Sequence, residues 1–448
     1  MLGQKRIQEI ADGILARSIA DQTEVVVLVT DGYLTRFANS TIHQNVAEAN
    51  AEVRIRTVIG QRVGVATTNN LDAEALAGTL ENALAITRLQ PENPDFRSLP
   101  GPEPIPTVMA FSEATANCTP EQRARGAGNI CRMAREAGAV ASGALNTAVL
   151  EVAVANSLGI LTYSAITYAD INTVIMSDSS AGYASSLALD VHELDFEAIG
   201  REALDKCLRS RNPRTFDPGE YTVILEPHAA QDFLQMMAWT GFGAVAMQEG
   251  RSFMAGKIGQ QIVDPRVSIW DDGLSSDTVP WPFDLEGVPK QRVELITNGV
   301  ARGVVYDSYR AAKEEGKKST GHALPTLNAF GPFPLNLFFS PGDATVQEMI
   351  ASTKRGLYVT RFHYTRPVEP TKVVITGMTR DGTFLIENGE IAYPVKNLRF
   401  TQSYLEALNH VEMIGQETHL LMGVTYQARD RVPALKLGKF TFTGVTEF

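Results

Sequence analysis

Cysteine is scarce in this chain: three residues in 448, Cys118, Cys131 and Cys207, with none beyond. No pair has C-x-x-C spacing, so a cysteine-built metal or redox centre is not indicated, and the thiols read as small buried groups in a reducing compartment. No stretch of 18 uninterrupted apolar residues occurs, which argues against a membrane helix. The start, MLGQKRIQEIADGILARSIA, carries charges throughout and reads as an amphipathic helix rather than the apolar core of a secretion signal. A cytoplasmic location without membrane partners is the expectation. Basic clusters are also missing. With 40 Lys+Arg against 51 Asp+Glu, the net charge of -11 repels phosphate backbones, so direct nucleic-acid binding is not expected. There is no G-x-S-x-G elbow, and the glycines of GFGAVAMQEG do not sit between a strand and a helix as a phosphate loop requires.

The chain's 448 residues, 44% of them hydrophobic and 20% charged, suffice for two or three soluble domains. Ile7, Ile10, Ile14 and Leu15 recur at helical spacing and predict a helix over 4–18. The β-rich runs EVVVLVT, YLTRFANS, TIHQNVAEA, EVRIRTVIG and QRVGVATT follow, punctuated by turn signals at Asp31-Gly32 and Gly60. Asp72 can cap a helix over 73–88, and the Pro-rich segment 91–106 then breaks the periodicity. Thr119-Pro120-Glu121-Gln122 has the chemistry of a capping box and opens a second cycle, which ends in a helix over 194–209. Ala38-Asn39-Ser40 recurs as Ala155-Asn156-Ser157 at matching places. The order of elements predicts an internal duplication of a helix, antiparallel-strand, helix unit. RSRNPRTFDPGEY reads as a boundary, dividing the chain into 1–215 and a β-rich 216–448. The second half carries one helix near 227–238 and hairpin signals at Asn298-Gly299, Asp381-Gly382 and Asn388-Gly389. The expected class is α+β.

GEYTVILEPHAAQDFLQMMAWTGFGA raises the functional question. A strand ends at Glu226-Pro227, and His228 stands in the first turn of a helix, where zinc peptidases place ligands. Elsewhere, Asp271-Asp272-Gly273 and Glu286 gather carboxylates, but Asp-Asp-Gly reads as a solvated turn at a strand end. Arg361, His363 and Arg366 alternate along RFHYTR, either as a grip for a peptide carboxylate or as the polar face opposite Phe362 and Tyr364. Ser319-Thr320-Gly321-His322 holds nucleophile and base types, yet sequence neighbours rarely form a triad.

RFANSTIHQN with QRVGVATTNNLD, then GRSFMAGKIGQQIVDPRVSIWDDG, KKSTGHA and TRDGTFLIENGEI, resemble the TldD/PmbA family, once called modulators of DNA gyrase. The resemblance implies a cytoplasmic peptidase system in which a metal-bearing subunit pairs with a metal-free one of TldE type. In the metal-bearing members the helix after this strand carries HExxxH, and a later Cys completes the site. Here the three positions hold His228, Ala229 and Phe233, so a ligand and the general base are lost, and no cysteine follows Cys207. The reading adopted is a non-catalytic subunit without a cofactor, which binds unfolded peptide by strand addition and forms a homodimer, or a heterodimer with a metal-bearing homologue. The first alternative is a hydrolase with a rearranged zinc site. His228 and Asp232, four apart, share a helix face, and His322 or His363 would supply the third ligand. The second is a gyrase-associated regulator without direct DNA contact.

Overall fold

The computed structural model describes residues 1–325, 330–424 and 428–446, in a mixed α+β arrangement. The first unit contains α1 (Gln4–Leu15), β1 (Gln22–Ala38), β2 (Thr41–Ile59), β3 (Arg62–Thr68) and α2 (Ala73–Leu89). After the short α3 (Glu113–Ala116) the same order returns as α4 (Pro120–Glu136), β4 (Val140–Asn156), β5 (Leu161–Ser177), β6 (Ser180–Ala188) and α5 (Phe196–Arg209). The six strands form one antiparallel sheet, β3-β2-β1-β4-β5-β6, and the two units meet along β1 and β4. The repeated triplets close equivalent hairpins. Ser40 Oγ accepts the Ala141 N–H at 2.9 Å, and Ser157 Oγ accepts the Thr23 N–H at 3.0 Å, a reciprocal exchange that carries the duplication into the structure.

Helices cover one face of this sheet. Val25, Val27 and Val29 pack under α1 and α2, whereas Val26 and Leu28 meet Phe283 and Trp281 from the second half. Burial on both faces explains a strand that reads as an unbroken apolar run rather than an alternation. It also corrects the expected meander of five short strands: Asp31-Gly32 is not a turn but lies within β1. Gly32 pairs with Glu48 on one side and Ala148 on the other. Two ladders outweigh the local turn preference. Gly60 does turn the chain, with φ 61° between β2 and β3, and the capping box at Thr119 is formed.

The second half, among the described residues, contains an eleven-stranded sheet. In chain order its strands are β7 (Gly219–Leu225), β8 (Ile269–Asp271), β9 (Val293–Thr297), β10 (Val300–Ala301), β11 (Leu337–Phe339), β12 (Arg355–Glu369), β13 (Val374–Glu387), β14 (Glu390–Pro394), β15 (Leu398–Ser403), β16 (Val411–Met422) and β17 (Arg429–Val445). Because β7 pairs with both β12 and β17, the strands β17-β15-β13-β12-β7 close on themselves as a barrel. α6 (Pro227–Gly241) packs against β12 and β17, burying Ala229, Ala230, Phe233, Leu234 and Met237 in the largest core of the chain. Asn298-Gly299 and Asn388-Gly389 are left-handed hairpin turns as expected. Asp381-Gly382 is not: both have positive φ, but they form a bulge inside β13, where Arg361 pairs with Arg380 and Val359 with Thr383.

Candidate functional site

α6 starts where β7 ends. The Glu226 carbonyl accepts the Ala229 and Ala230 N–H groups, and Pro227 occupies the first turn, where its missing N–H costs nothing. The side chains of α6 then divide. Ala229 and Phe233 are fully buried, Phe233 stacked on Tyr404 at 3.9 Å between ring centroids. His228, Gln231, Asp232, Gln235, Met236 and Trp239 instead line a cleft of about 380 Å³, opposite Arg361 to Arg366 of β12 and Tyr183 of β6. The sequence-derived candidates on α6 and β12 are thus brought together by the fold. A bulge is responsible for part of this: His363 pairs with Met378 and Arg366 with Thr376, so one extra residue in β12 restores Arg366 to the phase of His363. Tyr364, in the bulge, has φ 56° and is exposed.

The charges in the cleft are largely spoken for. Arg361 pairs with Asp381 through its guanidinium and lies 4.1 Å from the Tyr183 ring centroid. Asp232 accepts from Thr365 Oγ1 at 2.8 Å and from the Tyr404 hydroxyl. Burial pushes Asp232 up to about 6 against the pull of those two donors. Burial, then the charges of Lys206, His419 and Arg361, hold His228 well below the ordinary imidazole range. Its ring is therefore neutral at pH 7, with Nε2 2.8 Å from Ser185 Oγ. His363 is also lowered, by burial and then by Arg380 and Arg361. Arg366 stacks on Tyr364 at 4.7 Å and, among the described residues, has no carboxylate partner. What remains is an aromatic-walled groove with neutral hydrogen-bonding groups and one available cation.

Of the rearranged zinc site, the fold brings His228, Asp232 and His363 to one cleft, but among the described residues their ligand atoms do not all come within 4.8 Å of one another. Both oxygens of Asp232 are engaged by hydroxyls, and His322 lies elsewhere, fully buried, with Nε2 2.8 Å from Asp271 Oδ1 and Nδ1 2.9 Å from Thr320 Oγ1. Among the described residues, the one group of three or more potential ligands within 4.8 Å of one another is Glu202, Glu226 and His228. Lys206 is already there: its Nζ lies 2.6 Å from Glu202 Oε1 and 2.6 Å from Glu226 Oε2, and donates to the Tyr183 carbonyl at 3.2 Å. Burial works against this ammonium, but Glu226 and then Glu202 outweigh it and hold Lys206 above its ordinary range. With Ala229 and Phe233 in the core and an ammonium among the acids, the residues present do not fit a catalytic metal.

Asp271 is likewise no solvated turn. It is fully buried, accepting from His322 and from the Asn336 N–H at 2.8 Å, and Glu286 is buried against Arg56. Thr320 and His322 do touch, but the Thr320 hydroxyl is also held by the Tyr306 backbone. Sequence reasoning missed Glu202, Lys206, Tyr183, Asp381 and Tyr404. Glu202 and Lys206, four apart, look like an ordinary surface pair on a helix, and nothing local shows that α6 lies across from them.

Comparison with known proteins adds the lineage. Residues 218–444 match the family described as PmbA/TldA metallopeptidase C-terminal domain, and residues 23–87 match PmbA/TldA metallopeptidase domain 1. A protein named Metalloprotease from Methanothermobacter thermautotrophicus is 27% identical over 243 residues, a match that spans 53% of this chain and only 52% of that relative. Metalloprotease PmbA of Escherichia coli O157:H7 is 23% identical over 420 residues, 90% of this chain and 89% of the relative. The crystal structure of TldE from Thermococcus kodakarensis shares the fold, with a TM-score of 0.89 at 20% identity over 98% of this chain and 100% of that one.

Proposed function

We propose, from the premise that this chain belongs to the PmbA/TldA metallopeptidase family, that it is a member without its own hydrolytic centre, which holds peptide for a metal-bearing homologue. The observation that carries the reading is the fate of the metal motif. A general base and a ligand are replaced by Ala229 and Phe233, and both positions are packed into the barrel core. Neither side chain can take a proton from water or donate to a metal.

The cleft retains features suited to peptide. Trp239, Tyr364 and Tyr183 offer aromatic walls, and Arg366 offers a cation for a carboxylate, while Gln231 and Gln235 at the cleft floor donate their amides to Asp430. Beyond Val359, β12 pairs with β13 but not with β7, so its other edge runs along the cleft. An extended segment could be received there by strand addition, which uses backbone groups and tolerates varied side chains. In this reading the protein is cytoplasmic and works as a dimer with itself or with a metal-bearing homologue, burying more than about 2,000 Å² in total as obligate interfaces do.

The test compares three samples on an unfolded peptide: this protein, a metal-bearing homologue, and the mixture, with association followed by light scattering. Cleavage should rise only in the mixture and disappear with chelator. Cleavage by this protein alone overturns the proposal, as does a mixture that changes neither assembly nor rate.

A further inference from the structure

Among the buried charges, the group around Lys206 stands out because it joins the two halves and because its geometry is that of a cation site. Glu202 and Lys206 come from α5, Glu226 and His228 from the start of α6. Two carboxylates and an imidazole converge within 4.8 Å, and the positive charge that already bridges the two carboxylates is covalently part of the chain. Lys206 is 7% and Glu226 8% exposed, so neither is merely a solvated surface charge. Without the ammonium, Glu226 would keep the Tyr358 hydroxyl but lose its countercharge, leaving a buried carboxyl that either takes up a proton or gains a cation.

We infer that Glu202, Glu226 and His228 constitute a divalent-cation site whose resident cation is the Lys206 ammonium, so that Lys206 excludes metal and its removal admits it. The donor set is chemically adequate: two carboxylate oxygens and a neutral imidazole leave a fourth tetrahedral position for water, the pattern of three protein ligands zinc accepts. Metal–ligand distances of about 2.0–2.2 Å place ligand atoms roughly 3.5 Å apart, so contraction from the present group needs shifts of about 1 Å. The ammonium cannot be shared with a metal, because it occupies the same oxygens and repels a second cation. The site shares His228 with the HExxxH positions but takes its two carboxylates, Glu202 and Glu226, from outside that motif, and the inference stands on this geometry whether or not the chain serves a partner.

The experiment titrates full-length protein with cobalt(II), reading the d–d absorption, and with zinc by calorimetry. Lys206→Met, of similar length but without charge or donors, should bind about one equivalent, at least ~10-fold more tightly than the parent protein. His228→Ala in that background should weaken binding by roughly 10-fold or more, and Lys206→Arg should bind no better than the parent. Equal cobalt binding by Lys206→Met and parent, or binding by Lys206→Met that is unchanged when His228→Ala is added, overturns the inference. The parent protein gives a second reading should Lys206→Met not fold: an equivalent of zinc that is lost on His228→Ala in the unaltered background shows that Lys206 does not exclude metal, whereas zinc uptake indifferent to His228 supports the exclusion.

Discussion

Replacing Arg56 with Met isolates the charge that ties the first sheet to the second half. Arg56 on β2 stands opposite Glu24 on β1 in the ladder, and its guanidinium reaches Glu24 at 2.5 Å and Glu286 at 3.3 Å. All three are nearly inaccessible, at 5%, 1% and 6% exposed, so the weak energetics of surface pairs do not apply. The substitution leaves two carboxylates facing each other without a cation; breaking such a pair costs about 3–5 kcal/mol. The cost should depend on pH, with a definite sign. Burial already pushes Glu24 above the 4.5 of a free glutamate, with Arg56 as the main opposing influence. Once Arg56 is gone the folded pKa rises further, so stability is retained below about pH 4.5 and lost as pH climbs through the raised value. Urea denaturation at pH 5 and pH 8 tests this: the deficit should be near the full 3–5 kcal/mol at pH 8 and distinctly smaller at pH 5. Adding Glu24→Gln and Glu286→Gln should recover most of it, because a neutral triad leaves no uncompensated charge. A deficit under about 1 kcal/mol at pH 8, or one indifferent to pH, refutes the reasoning.

Phe233→Ala should destabilise by about 3–5 kcal/mol, since the ring is fully buried and stacked on Tyr404; a loss under about 1 kcal/mol in thermal or urea unfolding would mean that Phe233 is not a core residue. Asp232, raised to about 6 in the fold, favours the folded state at low pH and loses that contribution as pH rises through 6. The stability of the parent relative to Asp232→Asn should therefore fall between pH 4 and pH 7.5, and a difference that rises over that range contradicts the assignment. Duplex DNA should show no micromolar binding at physiological salt, given the net charge of -11; tight binding with a steep salt slope in fluorescence anisotropy would reveal a basic surface assembled by folding.

Several features were legible in the chain because they depend on neighbours in sequence. Helices at α1, α2, α4, α5 and α6 follow from periodicity and from caps such as Thr119 with Gln122. The loss of HExxxH chemistry at Ala229 and Phe233 can be read letter by letter, and so can the repeat of Ala-Asn-Ser. Turn signals were a weaker guide. Asn298-Gly299 behaved as its dipeptide predicts, but Asp31-Gly32 was drawn straight through β1 by ladders on both sides, and Asp381-Gly382 became a bulge.

The sequence by itself determined the composition of the candidate site: a lone His at the start of a helix, without the base or second ligand a metal centre needs, and a basic strand some 130 positions further on. Tertiary structure decided which charges are available. It paired Arg361 with Asp381, tied Asp232 to Tyr404 and Thr365, buried Asp271 on His322, and set Lys206 among Glu202, Glu226 and His228. Propensity, capping and motif loss act over a few residues and leave their mark in the local sequence. Burial and charge pairing depend on which surfaces meet across hundreds of residues, so a glutamate and a lysine four apart on α5 read as a solvated pair until α6 comes to lie against them.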